Sequence, residues 1–234
     1  MKIGFCFYGI TYGTQSTKGF KDYRHCWTNI HEMLVQPFID NGHEANIYVT
    51  TYPFSDPDIE QEFYATVKPE KIHFCEFEGS DPFTCKGAFD AFQNENLDFI
   101  ILTRFDIHFH KVLFNENIDY TKFNFLYPET GGFWWDILRW TTDNVYMWPM
   151  HLTNQVHQSL HYTYRNLRPE SADTHPLIHK LALSIGHENI HFISNIPEPS
   201  DESSFYTLCT KGRDIERAEH VRKYGIENTP WTKS

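Results

Sequence analysis

The sequence predicts an α/β fold in a single domain: a mixed, mostly parallel, Rossmann-like sheet with helices on both faces. Two observations carry that expectation. Strand-like apolar runs alternate with segments of helical spacing from the N-terminus to about residue 110, as successive βαβ units require. The 234 residues are 40% hydrophobic and 17% aromatic, enough to fill one sizeable core and too apolar for disorder.

"KIGFCFY" (Lys2 to Tyr8) reads as a buried first strand, followed by the polar loop "GITYGTQSTKG". Trp27, Ile30, Leu34 and Phe38 recur at helical spacing, with Gly42 as a stop and Pro37 as the expected site of a kink or early end. In "EANIYVTTY", Ala45, Ile47 and Val49 alternate, giving a second strand. Asp56-Pro57 is an N-cap with proline at the first helical position, and "KIHFCEF" is a third strand. Asp81-Pro82 repeats the capping signal and opens a helix to about Asn94, after which "DFIILTRFDIHF" (Asp98 to Phe109) is the fourth strand. Beyond it the pattern loosens. "FNFLY" and "DNVYMWP" read as strands, residues 153 to 166 and 174 to 185 as helices, and "NIHFIS" as a last strand. These elements place a domain over residues 1–200 and leave 201–234 as a polar C-terminal extension packing on it or trailing from it.

The net charge of −11 opposes binding to nucleic acid and anionic membranes, while a small anionic ligand stays possible beside a metal ion or a local cation. No 18-residue apolar run and no signal-peptide pattern occurs, so the expected localisation is cytoplasmic, with no transmembrane segment. The five cysteines, Cys6, Cys26, Cys75, Cys85 and Cys209, are scattered without a CxxC pair, which argues against a disulfide framework and a structural zinc site.

In parallel α/β sheets ligands collect at the carboxyl ends of the strands. There the fourth strand carries Arg104, Asp106 and His108 on alternate positions, so an extended backbone would aim all three to one side and Phe105, Ile107 and Phe109 to the other. Asp106 and His108 can then share a divalent ion such as Mn²⁺. The plainer alternative is an Arg104–Asp106 ion pair capping the strand. The first loop lacks a P-loop, since Thr17 rather than glycine precedes Lys18, and it has no GxGxxG, which excludes those ATPase and dinucleotide motifs. Tyr8, Gly9, Ile10 and Thr11, and Thr50, Thr51 and Tyr52 at the second strand end, remain candidates for nucleotide contact, with Tyr52 available to stack on a base. Arg104 and Lys86 are candidate phosphate ligands. The segment around Phe133, Trp134, Trp135 and Trp140 offers flat surfaces for sugar rings or, equally, core. Within or beside it, Glu129, Asp136 and Asp143 are candidate catalytic carboxylates, Asp143 favoured because it immediately precedes a strand. The His157/His161 and His175/His179 pairs have metal-like spacing without HExxH.

A hydrophobic strand ending in Arg-x-Asp-x-x-Phe resembles glycosyltransferases of the GT-A fold, in particular small viral and bacterial enzymes that build polysaccharides. "KIGFCFYGITYG", "NIHEMLVQPFIDNGHEANIYVTTY" and "DNVYMWP" are similar to the same group, so the likeness touches residues 1 to about 195. It implies a GT-A-like fold, a nucleotide-sugar donor linked to UDP or GDP, and a glycan or glycoconjugate acceptor. It also implies Mn²⁺ or Mg²⁺ at an Asp-x-His motif, Asp106-Ile107-His108, with His175 as a late additional ligand. Phe105 stands where that group usually has proline, and no second Asp follows Asp106. Two other readings compete: a metal-dependent phosphoesterase using Asp106, His108 and His110, and a non-catalytic sugar-binding module using the Trp-rich segment. The sugar-transfer reading makes one demand, that Asp106 not be locked in a private bond with the arginine beside it and sealed from any open cleft.

Overall fold

The computed structural model describes residues 1–13, 21–75, 89, 91–92, 94–126, 144–166, 184–194 and 205–209, with side chains from 160 to 166 left aside. In chain order the strands are β1 (Lys2–Tyr8), β2 (Tyr12–Gly13), β3 (Lys21–Asp22), β4 (Glu44–Thr51), β5 (Lys71–Phe74) and β6 (Phe99–Arg104). They continue with β7 (Ile107–Phe109), β8 (Phe123–Phe125), β9 (Val145–Pro149), β10 (Ile190–Phe192) and β11 (Tyr206–Leu208). The α-helices are α1 (Arg24–Ile30), α2 (Gln36–Asp40), α3 (Pro57–Val67) and α4 (Thr153–Asn166).

Among the described residues the main sheet has seven strands in the order β10-β8-β9-β6-β1-β4-β5. β5, β4, β1 and β6 run parallel, β9 is antiparallel to both β6 and β8, and β10 is parallel to β8. This is the mixed, mostly parallel sheet that the sequence predicts. From β1 the chain builds outward through β4 and β5, then crosses to the other side of β1 to place β6. The order therefore reverses between β1 and β6, and a crevice opens at their carboxyl ends.

Both faces are covered. On one, Trp27, Ile30, Leu34 and Phe38, with Phe63 and Val67 of α3, bury Phe5, Phe7, Phe99 and Ile101. On the other, Phe89, Ala91 and Phe92 and the start of α4 cover Cys6, Tyr8, Ile100 and Leu102. Alternation thus decides which core each side chain of the central strands enters. No described helix is long and apolar enough to cross a membrane.

Pro37 acts as the sequence predicts, by distorting its helix. Between α1 and α2 the chain runs as a π-turn over His31–Val35, and the Gln36 amide donates to the His31 carbonyl, five residues back. Proline lacks an N–H and its ring crowds the carbonyl four residues earlier. The widened turn just ahead of Pro37 accommodates that crowding.

Asp56 caps α3 as expected, its side chain accepting from the amides of Asp58 and Ile59. Asp56→Ala is expected to cost about 1 kcal/mol, read as a lower urea midpoint with unchanged slope.

The fourth strand is shorter than the twelve-residue stretch suggests. β6 ends at Arg104, the chain bends at Phe105–Asp106, and β7 then joins a separate two-stranded sheet with β11. Phe105, Ile107 and Phe109 still enter the first core, as alternation predicts. β7 is held from both sides. Thr207 of β11 faces His108 in register, and buried Asn29 of α1 bridges the Phe109 backbone, donating to its carbonyl (3.0 Å) and accepting from its amide (2.6 Å). Asn29→Ala strands both backbone groups in a dry environment and is expected to cost about 2–3 kcal/mol, measured by urea unfolding.

Candidate active site

At the carboxyl edge of the sheet, Tyr8 is in register with Thr50 of β4 on one side and Arg104 of β6 on the other. These three residues form one row across the switch point. Gly9 follows at φ 108°, a conformation that strains any L side chain, and its amide donates to the Thr50 carbonyl at 3.2 Å. The Thr50 hydroxyl is buried with no hydrogen-bond partner among the described residues, an uncommon arrangement that costs about 1–3 kcal/mol.

Arg104 and Asp106 do come together. The Arg104 Nε donates to Asp106 Oδ1 at 2.6 Å and its Nη2 to Oδ2 at 2.8 Å, a fork-on-carboxylate pair. Lys21 completes the group, its Nζ donating to Asp106 Oδ2 at 2.6 Å. The three side chains are largely buried, with exposures of 6% for Lys21, 12% for Asp106 and 15% for Arg104. Burial alone would raise the Asp106 pKa. The charge and hydrogen bonds of Arg104, then those of Lys21, outweigh it and hold the carboxyl well below the usual carboxylate range. Cys26 of α1 lies close enough to feel the same charges. Its hydrogen bond with the Cys209 thiol, and then its burial, push its own pKa up, so it stays a thiol.

Lys21 reaches Asp106 because β2 and β3 close the base of the first loop as a short antiparallel ladder, Tyr12 opposite Asp22 and Gly13 opposite Lys21. Sequence reasoning missed this lysine. A two-residue ladder is too short to show a period, and the P-loop comparison drew attention to Lys18 instead. From the other side, the Cys209 amide donates to the Asp106 carbonyl at 2.7 Å, so β11 pins the bend. β9 starts at the same edge: Thr103 donates to the Asn144 carbonyl at 2.9 Å, and Asn144 Nδ2 donates to the Tyr206 hydroxyl at 2.8 Å.

The other expected contacts fall as follows. Thr11 and Thr51 are buried against each other, hydroxyl to hydroxyl at 3.0 Å, and tie the first loop to the end of β4. Tyr52 is buried with Ile10 and Cys75, which keeps its ring from lying open to a base. His108 is buried in β7, its ring centroid 6.4 Å from that of His110, whose Nε2 meets the Thr207 hydroxyl at 3.0 Å. His157 stacks on Phe89 at 5.2 Å. Lys86, Glu129, Asp136, Asp143 and His175, the tryptophans 134, 135 and 140, and most of the 174–185 helix lie outside the described residues.

Asp106 and His108, the metal ligands expected at this strand end, do not form a cradle as arranged. Both Asp106 oxygens carry cations, and no group of three His, Cys, Asp or Glu side chains among the described residues is placed to hold an ion. A divalent ion ~4 Å from Lys21 or Arg104 would be repelled by about 8 kcal/mol per cation at an effective dielectric constant of ~20. Mn²⁺ or Mg²⁺ would have to bind against that repulsion, at a carboxylate that already accepts three hydrogen bonds from cations. Among the described residues, the site sets two cations against one carboxylate at a ligand-collecting edge.

No family model and no curated protein matches this chain. Among solved structures it is similar to a 4-diphosphocytidyl-2C-methyl-D-erythritol synthase from Anaerococcus prevotii DSM 20548. The TM-score is 0.56 and the identity 10%, over 95% of this chain and 98% of that one. At that identity the likeness is one of fold. The fold is GT-A-like.

Proposed function

We propose that this protein is a nucleotide-dependent transferase, and specifically a glycosyltransferase that moves a sugar from a UDP- or GDP-linked donor to a glycan or glycoconjugate acceptor. One observation carries the reading: a cation pair, Lys21 and Arg104, converges at the carboxyl edge between β1 and β6, where sheets of this topology bind their ligands. Breaking a sugar–diphosphate bond loads negative charge onto the leaving nucleotide, and fixed cations stabilise that charge in a site with little water. In this reading Tyr8, Gly9 and Thr50 border the nucleotide, while Thr11, Thr51 and Tyr52 brace the loop and strand end from behind. Asp143 takes the proton from the acceptor hydroxyl, with Asp136 the second candidate. Asn144, the next residue, stands at the same edge.

The fold neighbour supports a second reading. Its name describes a synthase whose product carries a diphosphocytidyl group, so nucleotidyl transfer is the competing chemistry on this scaffold. The products separate the two, because sugar transfer releases a nucleoside diphosphate and nucleotidyl transfer from a triphosphate releases pyrophosphate. Incubation with a panel of UDP- and GDP-sugars and of nucleoside triphosphates, followed by mass spectrometry, is expected to yield nucleoside diphosphate from at least one nucleotide-sugar. That turnover is expected to disappear in Asp143→Asn. Pyrophosphate release from a triphosphate, with every nucleotide-sugar left intact, would establish the second reading instead.

A further inference from the structure

We propose that Lys21 and Arg104 bind the nucleotide's phosphates directly, with Asp106 as the residue that positions them, so that nucleotide binding requires no divalent ion. This rests on the nucleotide reading above and replaces the metal implied by the sequence resemblance.

The geometry points this way for three reasons. First, Asp106 already accepts three hydrogen bonds from cations. Arg104 takes both of its oxygens and Lys21 shares one, so the carboxylate acts as a holder of cations. Second, among the described residues the group sets two cations against one carboxylate, in a chain whose net charge is −11. A local cation excess of that kind is what an anion needs to approach an acidic protein. Third, the two cations are complementary and held in place. The guanidinium is fixed in its plane by the fork on Asp106, while the ammonium arrives from a separate element, β3. A planar fork and a compact point charge are the two side-chain devices that recognise phosphate oxygens. Asp106 spans them, so their spacing is set before a ligand arrives, which lowers the ordering cost of binding.

The test is calorimetric titration of UDP and of GDP into the full chain, once in EDTA and once in excess Mn²⁺. The expected result is binding of at least one nucleotide in EDTA, with a Kd within about threefold of that in Mn²⁺. Arg104→Gln and Lys21→Gln are each expected to weaken binding about 10–100-fold, the loss of a charge-assisted hydrogen bond. Lys21→Arg, which keeps the charge, is expected to recover most of it; a purely structural lysine buried this tightly would not be rescued by the bulkier guanidinium. Binding that appears only with Mn²⁺ would overturn the inference and leave the nucleotide reading standing. Binding unaltered in both folded glutamine variants would overturn it as well. If neither nucleotide binds under either condition, the nucleotide reading itself fails. The wild-type comparison stands whether or not the variants fold.

Discussion

Asp106→Ala is expected to destabilise the protein by about 3–5 kcal/mol, the cost of leaving buried charges without their partner. Two cations, not one, lose the Asp106 carboxylate, and both sit on side chains that are at most 15% exposed. The loss should also depend on pH. The Asp106 carboxyl titrates well below the usual carboxylate range in the folded protein, and near the ordinary value of about 3.9 when unfolded. Its stabilisation is therefore complete above the unfolded value and drains away as pH falls through that value toward the folded one. Urea unfolding of wild type and variant at pH 7, 5 and 3.5 should show a gap that is constant between the first two and narrower at the last. A gap independent of pH would mean that Asp106 contributes by shape and not by charge.

Trp148→Ala is expected to cost a similar about 3–5 kcal/mol for a different reason, the cavity left by a large core side chain. Trp148 lies fully buried in β9, its ring parallel to Phe123 at 5.5 Å and stacked on Phe89 at 5.8 Å. Its indole N–H donates to Thr153 Oγ1 at 3.0 Å, which ties β9 to the first residue of α4. Trp148→Phe keeps one ring in the stack while removing the hydrogen bond and part of the indole's volume. It should cost about 1–2 kcal/mol, with the slope of urea unfolding unchanged. If both variants cost the same, the hydrogen bond to Thr153 and the lost volume, and not the ring that phenylalanine keeps, would dominate.

Much of the sheet was legible because its strands are long and their neighbours in sequence are helices. β1, β4 and β6 are each bounded by polar or glycine-containing segments, and Asp56-Pro57 marks the start of α3 to the residue. The short ladders were not legible. β2 with β3 and β7 with β11 have two or three residues per strand, and the second pairing joins positions far apart in sequence, Phe109 with Tyr206 for instance. "FYTLC", Phe205 to Cys209, did carry a signal, an apolar stretch inside an otherwise polar tail. It was submerged in the composition of its surroundings.

At the site, spacing correctly joined Arg104 to Asp106, since alternate residues at a strand end share a side. Spacing could not reveal Lys21, 85 residues upstream of its partner, and that lysine changes the chemistry. Arg104 alone already donates to both Asp106 oxygens, and Lys21 adds a second cation on Oδ2; in the reading proposed above, those two cations receive phosphate.

The most direct measurement is a crystal structure of the protein grown in EDTA and soaked with UDP or GDP. Diphosphate density is expected at the carboxyl ends of β1 and β6, with phosphate oxygens about 2.7–3.2 Å from Lys21 Nζ and the Arg104 guanidinium and Asp106 still touching both. Density elsewhere on the molecule, or a nucleotide bound beside an undisturbed Lys21–Asp106–Arg104 group that makes no contact with it, would contradict that expectation.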